Sequence, residues 1–253
     1  MIEQIQKALE EISRKEDVRV LLAVESGSRA WGFESADSDW DVRFVYVRPV
    51  AAYVSIHPRR DVIERALPGD LDVAGWDLPK ALRLFAKSNP ALLEWVRSPI
   101  VYCQDEAFVE ALRALEPLYT SVRSGLYHYR SMAFTNYREF LQGEEVKLKK
   151  YLYVLRPILA CLYLERTGSW PPVRFSDLVE SDCGDAGIRA AIDELVERKR
   201  AGGELGVGPR ISILNEFIEA ELARLNGLSL TARSSGDVGP LDALFREQVG
   251  LRT

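Results

Sequence analysis

The sequence predicts an α/β (α+β) chain, a small sheet with flanking helices followed by a mostly helical domain, and three observations carry this. Residues 18–24 (VRVLLAV) form a β-rich apolar run. Residues 39–47 (DWDVRFVYV) alternate strictly, so Asp39, Asp41, Arg43, Val45 and Val47 share one strand face and Trp40, Val42, Phe44 and Tyr46 the other. From about Asp105 the apolar spacing changes to the helical period.

Taken in order, Ile2, Ile5, Leu9 and Ile12 recur at helical spacing and predict a first amphipathic helix. The strand at 18–24 empties into the turn Glu25-Ser26-Gly27-Ser28, which opens a short helix, and then into the polar loop RAWGFESADS. After the strand at 39–47, the segment HPRRD reads as a connection and DLDVAGW (70–76) as another strand. Asp77 is placed to cap a helix through about Lys87; Asn89 caps the next, with Pro90 at its first position. SPIVY (98–102) is a short extended piece. Helices are expected at 105–115, 122–142, 144–166, 185–200 and 211–225, with loops at SWPPV and GGELGVGP. SSGDVGP reads as a linker before a short last helix, LDALFREQVG. The expected organisation is a first domain over 1–104 and a helical domain over 105–253.

Bulk properties narrow the chemistry. With 33 Lys and Arg against 38 Asp and Glu, the 253-residue chain has a net charge of −5 and a pI near 5.3, which argues against a broad polyanion-binding surface. Cys103, Cys161 and Cys183 lie far apart without metal-ligand spacing and read as reduced thiols. The N-terminus is acidic and amphipathic, unlike a targeting signal, and no apolar run approaches a membrane span; the expectation is a cytoplasmic protein with no membrane partner. His57 and His128 alone supply imidazole, too little for a multi-histidine zinc site, and neither neighbours a nucleophile elbow. Catalysis is therefore expected to use carboxylates and cations.

The informative unit is Gly27-Ser28, a loop, then Asp39-Trp40-Asp41. Carboxylates at i and i+2 on a strand point the same way, roughly 6–7 Å apart, and converge on hard divalent cations. Mg2+ or Mn2+ is the expected cofactor, held by Asp39, Asp41 and a third acid; Asp72 is the first choice, with Asp70 as the alternative. Backbone N–H groups at Gly27 and the Ser28 hydroxyl are suited to a triphosphate, and Arg29 beside them to phosphate or a surface ion pair. Arg43 shares the aspartate face and either neutralises it or meets substrate phosphate.

The order G-S, loop, D-x-D and apolar strand resembles the DNA polymerase β nucleotidyltransferase superfamily, and GSRAWGFESADSDWDVRFVYV most resembles its RNA-repair-pathway branch. Similar runs stand at Asp72 to Lys80, Asn89 to Tyr102 and Lys149 to Pro157, so the resemblance covers roughly 20–180. It implies metal-dependent transfer of a nucleoside monophosphate from an NTP, ATP included, to a hydroxyl acceptor with release of pyrophosphate. An RNA 3′ end, tRNA among them, is the acceptor it favours. Modification of a protein or small molecule, or an inactive nucleotide-binding regulator, are the alternatives.

A second stripe accompanies the first. Lys149, Tyr153 and Arg156 fall at i, i+4 and i+7 of one helix with Lys150 alongside, suited to a triphosphate and a base. The resemblance makes this helix part of the other wall of the nucleotide cleft. Tyr129 and Asn136 are secondary choices.

Overall fold

A computed structural model describes the chain apart from residues 58, 68, 203–204, 229–236 and 252–253. The chain divides into two compact units. The first comprises Met1–Ala30, Asp39–Thr120 and the C-terminal helix; the second comprises Trp31–Ser38 and the elements between Thr120 and that last helix. The units do not follow a boundary at residue 104.

The first unit is built on a five-stranded sheet in the order β3-β4-β2-β1-β5. Its elements run α1 (Ile2–Glu16), β1 (Arg19–Glu25), α2 (Gly27–Trp31), β2 (Trp40–Val47), α3 (Val50–Tyr53), β3 (Val62–Leu67), β4 (Leu71–Asp77), α4 (Leu78–Ala86), α5 (Pro90–Val96), β5 (Val101–Gln104) and α6 (Glu106–Tyr119). β2 and β4 pair in parallel, and the other neighbours pair antiparallel. Ile5, Leu9 and Ile12 of α1 join Val42, Phe44 and Tyr46 of β2 in one buried cluster; on the opposite face of β2, Asp41 and Arg43 are followed by Val45 and Val47, which are also buried. A Cβ on Gly75 would lie 2.3 Å from the Phe44 ring beside it, so the core face of β4 needs a glycine there.

β3 is a strand that the sequence reading left out. It is one of the two edge strands of the sheet, and exposed Glu64 and Arg65 break its apolar pattern. Asp77 occupies the N-cap position of α4 but makes no capping bond. Its carboxylate accepts the Tyr53 hydroxyl at 2.5 Å instead, with Arg48 at 3.9 Å. Asn89 does cap α5, accepting the Leu92 N–H at 3.1 Å.

The second unit holds β6 (Glu145–Lys147) and β7 (Val207–Pro209), a two-stranded ribbon, with α7 (Val122–Phe140), α8 (Lys149–Thr167), α9 (Phe175–Asp182), α10 (Ala186–Arg200) and α11 (Ser212–Asn226). α9 was not foreseen, and the strand at 145–147 replaces the first turn of the helix expected from 144. The last helix, α12 (Gly239–Gln248), packs with α4 and α6 in the first unit. Part of the linker expected at SSGDVGP, of the loop at GGELGVGP and of HPRRD lies outside the described residues. No described helix is long and apolar enough to cross a membrane.

Candidate functional site

The turn after β1 is anchored by a buried acid. Glu25, fully buried at the end of β1, accepts the Asp41 N–H at 2.8 Å through one carboxylate oxygen and the Tyr102 hydroxyl through the other. Ser26 N–H donates to the Asp41 carbonyl at 2.8 Å, and Ser98 donates to the Glu25 carbonyl at 2.7 Å. Both backbone groups of Asp41 are thus held by residues 25 and 26. Sequence reasoning missed Glu25, although an acid closing the apolar run VRVLLAV was a visible signal.

Gly27 then takes φ +61°, and a Cβ there would lie 2.2 Å from Oδ2 of Asp41. The turn approaches the carboxylate so closely that L side chains are excluded. Ser28 is buried one residue on, at the start of α2.

Asp41 stands opposite Asp72 in the parallel ladder of β2 and β4. Nη2 of Arg43 donates to Oδ1 of Asp41 at 3.1 Å and to Oδ2 of Asp72 at 2.7 Å, so Arg43 neutralises the two carboxylates. Its other terminal nitrogen donates to the carbonyls of Val42 and Asp72. Asp70 instead offers its carbonyl to the Trp40 N–H at 2.6 Å. Asp39 precedes β2 rather than lying within it and is exposed. Arg29 donates to the Asp39 carbonyl at 3.1 Å and stacks 3.8 Å over the Trp40 ring.

Burial pushes the Asp41 carboxyl above the usual range; Arg43 opposes this, and the charges of Asp72 and Asp39 add to it. Burial also raises Glu25, against the hydrogen bonds from Tyr102 and Asp41. Crowded carboxylate oxygens suit a hard divalent cation, which would relieve the strain that Arg43 now partly offsets. Among the described residues, however, no three His, Cys, Asp or Glu are grouped closely enough to form a metal site. The donor chemistry fits the ion; the closed ligand cage is absent, and Arg43 must move for Asp41 and Asp72 to share a cation.

In the second unit, Lys150 Nζ lies 3.9 Å from the centre of the Phe140 ring and 5.1 Å from that of Tyr153. Tyr153 meets Trp31 edge-on at 5.6 Å, and the Arg156 guanidinium covers Trp31 at 4.4 Å. Tyr153 and Arg156 therefore do share a face of α8, but Arg156 is only 2% exposed and donates to the Val173 carbonyl at 3.3 Å. It sits in packing rather than on an open cationic surface. Lys199, unremarked in the sequence, lies buried with Nζ 4.7 Å from the Phe33 ring centre. Burial and the charge of Lys149 lower its pKa to about 8, against the opposing charge of Glu34. Tyr129 is buried beside Trp170, and Asn136 donates to the Met132 carbonyl of its own helix. Neither has the exposed placement expected of a ligand contact.

A family model, that of the RNA repair pathway DNA polymerase beta family, matches residues 1–247. The chain belongs to this family. Membership in the RNA repair pathway DNA polymerase beta family places it among nucleotidyltransferase-like proteins, and the match runs well beyond the 20–180 stretch whose resemblance was legible. The uncharacterized protein YcgL of Bacillus subtilis (strain 168) is 48% identical over 223 residues, covering 87% of this chain and 86% of that protein. A crystal structure of a nucleotidyltransferase-like protein from Exiguobacterium sibiricum 255-15 matches 96% of this chain and 75% of its own, at 13% identity and a TM-score of 0.33.

Proposed function

We propose that this protein transfers a nucleoside monophosphate from an NTP to the 3′ hydroxyl of an RNA, releasing pyrophosphate. The observation that carries the reading is the contact between the Gly27 turn and Asp41, with Asp72 in register beside it. A phosphate-binding turn and two carboxylates at one place are what nucleotidyl transfer requires. Asp39, Asp41 and Asp72 would hold Mg2+ or Mn2+, which when bound supplies charge neutralisation for the phosphates and activation of the attacking hydroxyl. Gly27 and Ser28 receive the triphosphate, Arg29 flanks it, and Arg43 exchanges its carboxylate partners for substrate phosphate. Lys149, Lys150 and Tyr153 are assigned to the nucleotide, with Arg156 holding the aromatic packing beneath Tyr153.

The test is incubation of the purified protein with each labelled NTP, magnesium and total RNA. Label in RNA is the expected result. Label in the protein itself would replace the acceptor, and label in neither would make the chain a nucleotide-binding regulator.

A further inference from the structure

The outer face of α7 carries a series of side chains that nucleotidyl transfer leaves unused. Arg123, Tyr127, Arg130, Phe134 and Arg138 follow at helical intervals, which places them in one stripe about 22 Å long. Tyr127 is 58% exposed, Arg123 and Arg138 are exposed, and Arg130 and Phe134 are half-buried. Glu139, the single acid in α7, is turned away from this stripe by the helical period.

The C-terminal half of the stripe opens into a cavity of about 310 Å³ lined by Arg130, Ser131, Phe134, Thr135, Arg138 and Asn226. Arg130 is held in place there, one terminal nitrogen donating to the Leu225 and Leu228 carbonyls at 3.2 and 3.3 Å. Acids on neighbouring helices are already engaged: Glu219 accepts from Tyr137 and Arg210, while Glu165 and Glu221 accept from Arg224. No ion pair joins Arg130 or Arg138 to another described residue. Two guanidinium groups, the Thr135 hydroxyl and an amide around one hollow are donors for phosphate oxygens, while Ser131 donates to the Tyr127 carbonyl at 2.8 Å; the aromatic rings spaced between cations are surfaces for bases.

We infer that this face of α7 binds single-stranded RNA, Arg130, Arg138 and the cavity between them taking the phosphates and Tyr127 and Phe134 stacking bases. The inference rests on the RNA-acceptor reading above. It also explains how a chain of net charge −5 would attract a polyanion: locally, along one helix.

The test uses the full chain and a fluorescein-labelled single-stranded RNA about 12 nucleotides long, with anisotropy measured over a KCl series. Arg138→Gln and Tyr127→Ala alter exposed side chains, and thermal melts verify that both variants fold. Each should weaken RNA binding about 3–10-fold, the pair more, with NTP affinity unchanged. Loss of Arg138 should also flatten the slope of log affinity on log salt by about 0.7, the contribution of one phosphate contact on a single strand. Unchanged affinity and slope in the double variant, no RNA binding by the wild type, or equal competition by poly-glutamate would each overturn the inference. Transfer of NTP label to RNA, read in parallel, tests the catalytic reading separately. Labelling that survives in the double variant with unchanged RNA affinity removes this surface and leaves the chemistry standing. Stripe-dependent RNA binding without any labelling by the wild type leaves the surface and removes the chemistry.

Discussion

A Cβ on Gly27 would stand 2.2 Å from Oδ2 of Asp41, so the turn backbone and the central carboxylate touch with no room between them. Gly27→Ala should therefore displace Asp41 and strain a backbone at φ +61°. Strain of that kind costs about 1–2 kcal/mol. The expected result is a lower unfolding midpoint together with a loss of transfer of at least about tenfold, the size of effect that a small misplacement brings. Full turnover in Gly27→Ala would mean that the turn does not shape the site.

Asp41→Asn should abolish transfer while leaving the metal-free protein as stable or more so. Burial, Asp72 and Asp39 raise the Asp41 carboxyl, so the fold favours its protonated form. That preference stabilises the fold at acid pH, below the unfolded value, and is lost as pH rises through the folded one. At neutral pH the ionised carboxylate is therefore a burden that Asn removes. Thermal melts without metal, run alongside the transfer assay, check both halves.

Magnesium or manganese should support transfer and chelation should end it, because the ligands proposed are all carboxylates. Arg43→Gln should lower the metal concentration needed for half-maximal binding, since Arg43 now occupies both Asp41 and Asp72. Calorimetric titration with Mn2+ reads this directly. A higher requirement in the variant would show that Arg43 supports the cation site instead of competing for it.

Lys150→Ala and Arg156→Ala should separate. Lys150 lies over two rings at the start of α8 and is part-exposed, so its loss should weaken NTP binding by about 1.5–3 kcal/mol, as for a charge-assisted contact. Arg156 is buried against Trp31, and its loss should lower the unfolding midpoint first. Equilibrium nucleotide binding and thermal melts on both variants distinguish a ligand contact from packing.

Lys199 should make stability depend on alkaline pH. Its pKa falls from 10.5 to about 8 in the fold, so the folded state prefers the neutral amine. The stability is complete above the unfolded value and is lost as pH falls through about 8. Relative to Lys199→Met, the wild type should gain in unfolding midpoint between about pH 7 and pH 10. A constant difference over that range would mean that the amine is not desolvated.

Features encoded within a few neighbouring residues were legible in advance. The alternation of β2, the Asn89-Pro90 helix start and the Gly27-Ser28 turn each follow from local backbone geometry. β3 was hidden because an edge strand tolerates Glu64 and Arg65, and Asp77 misled because its carboxylate had a nearer partner in Tyr53. Glu25 looked like a turn residue until Tyr102 and Asp41 closed over it.

By itself, then, the sequence determined the periods of most elements and the residue types offered for the candidate site, carboxylates beside a glycine turn with no imidazole to spare. Tertiary structure decided which carboxylates meet. Only the parallel register of β2 and β4 sets Asp72, and not Asp70, opposite Asp41, and only that pairing lets Arg43 bridge them. It also decided that residues 31–38 fold with the second unit while α6 and α12 fold with the first. The reason is one of range: strand and helix periods repeat within a few residues, whereas register, burial and pairing depend on residues tens of positions apart meeting in space.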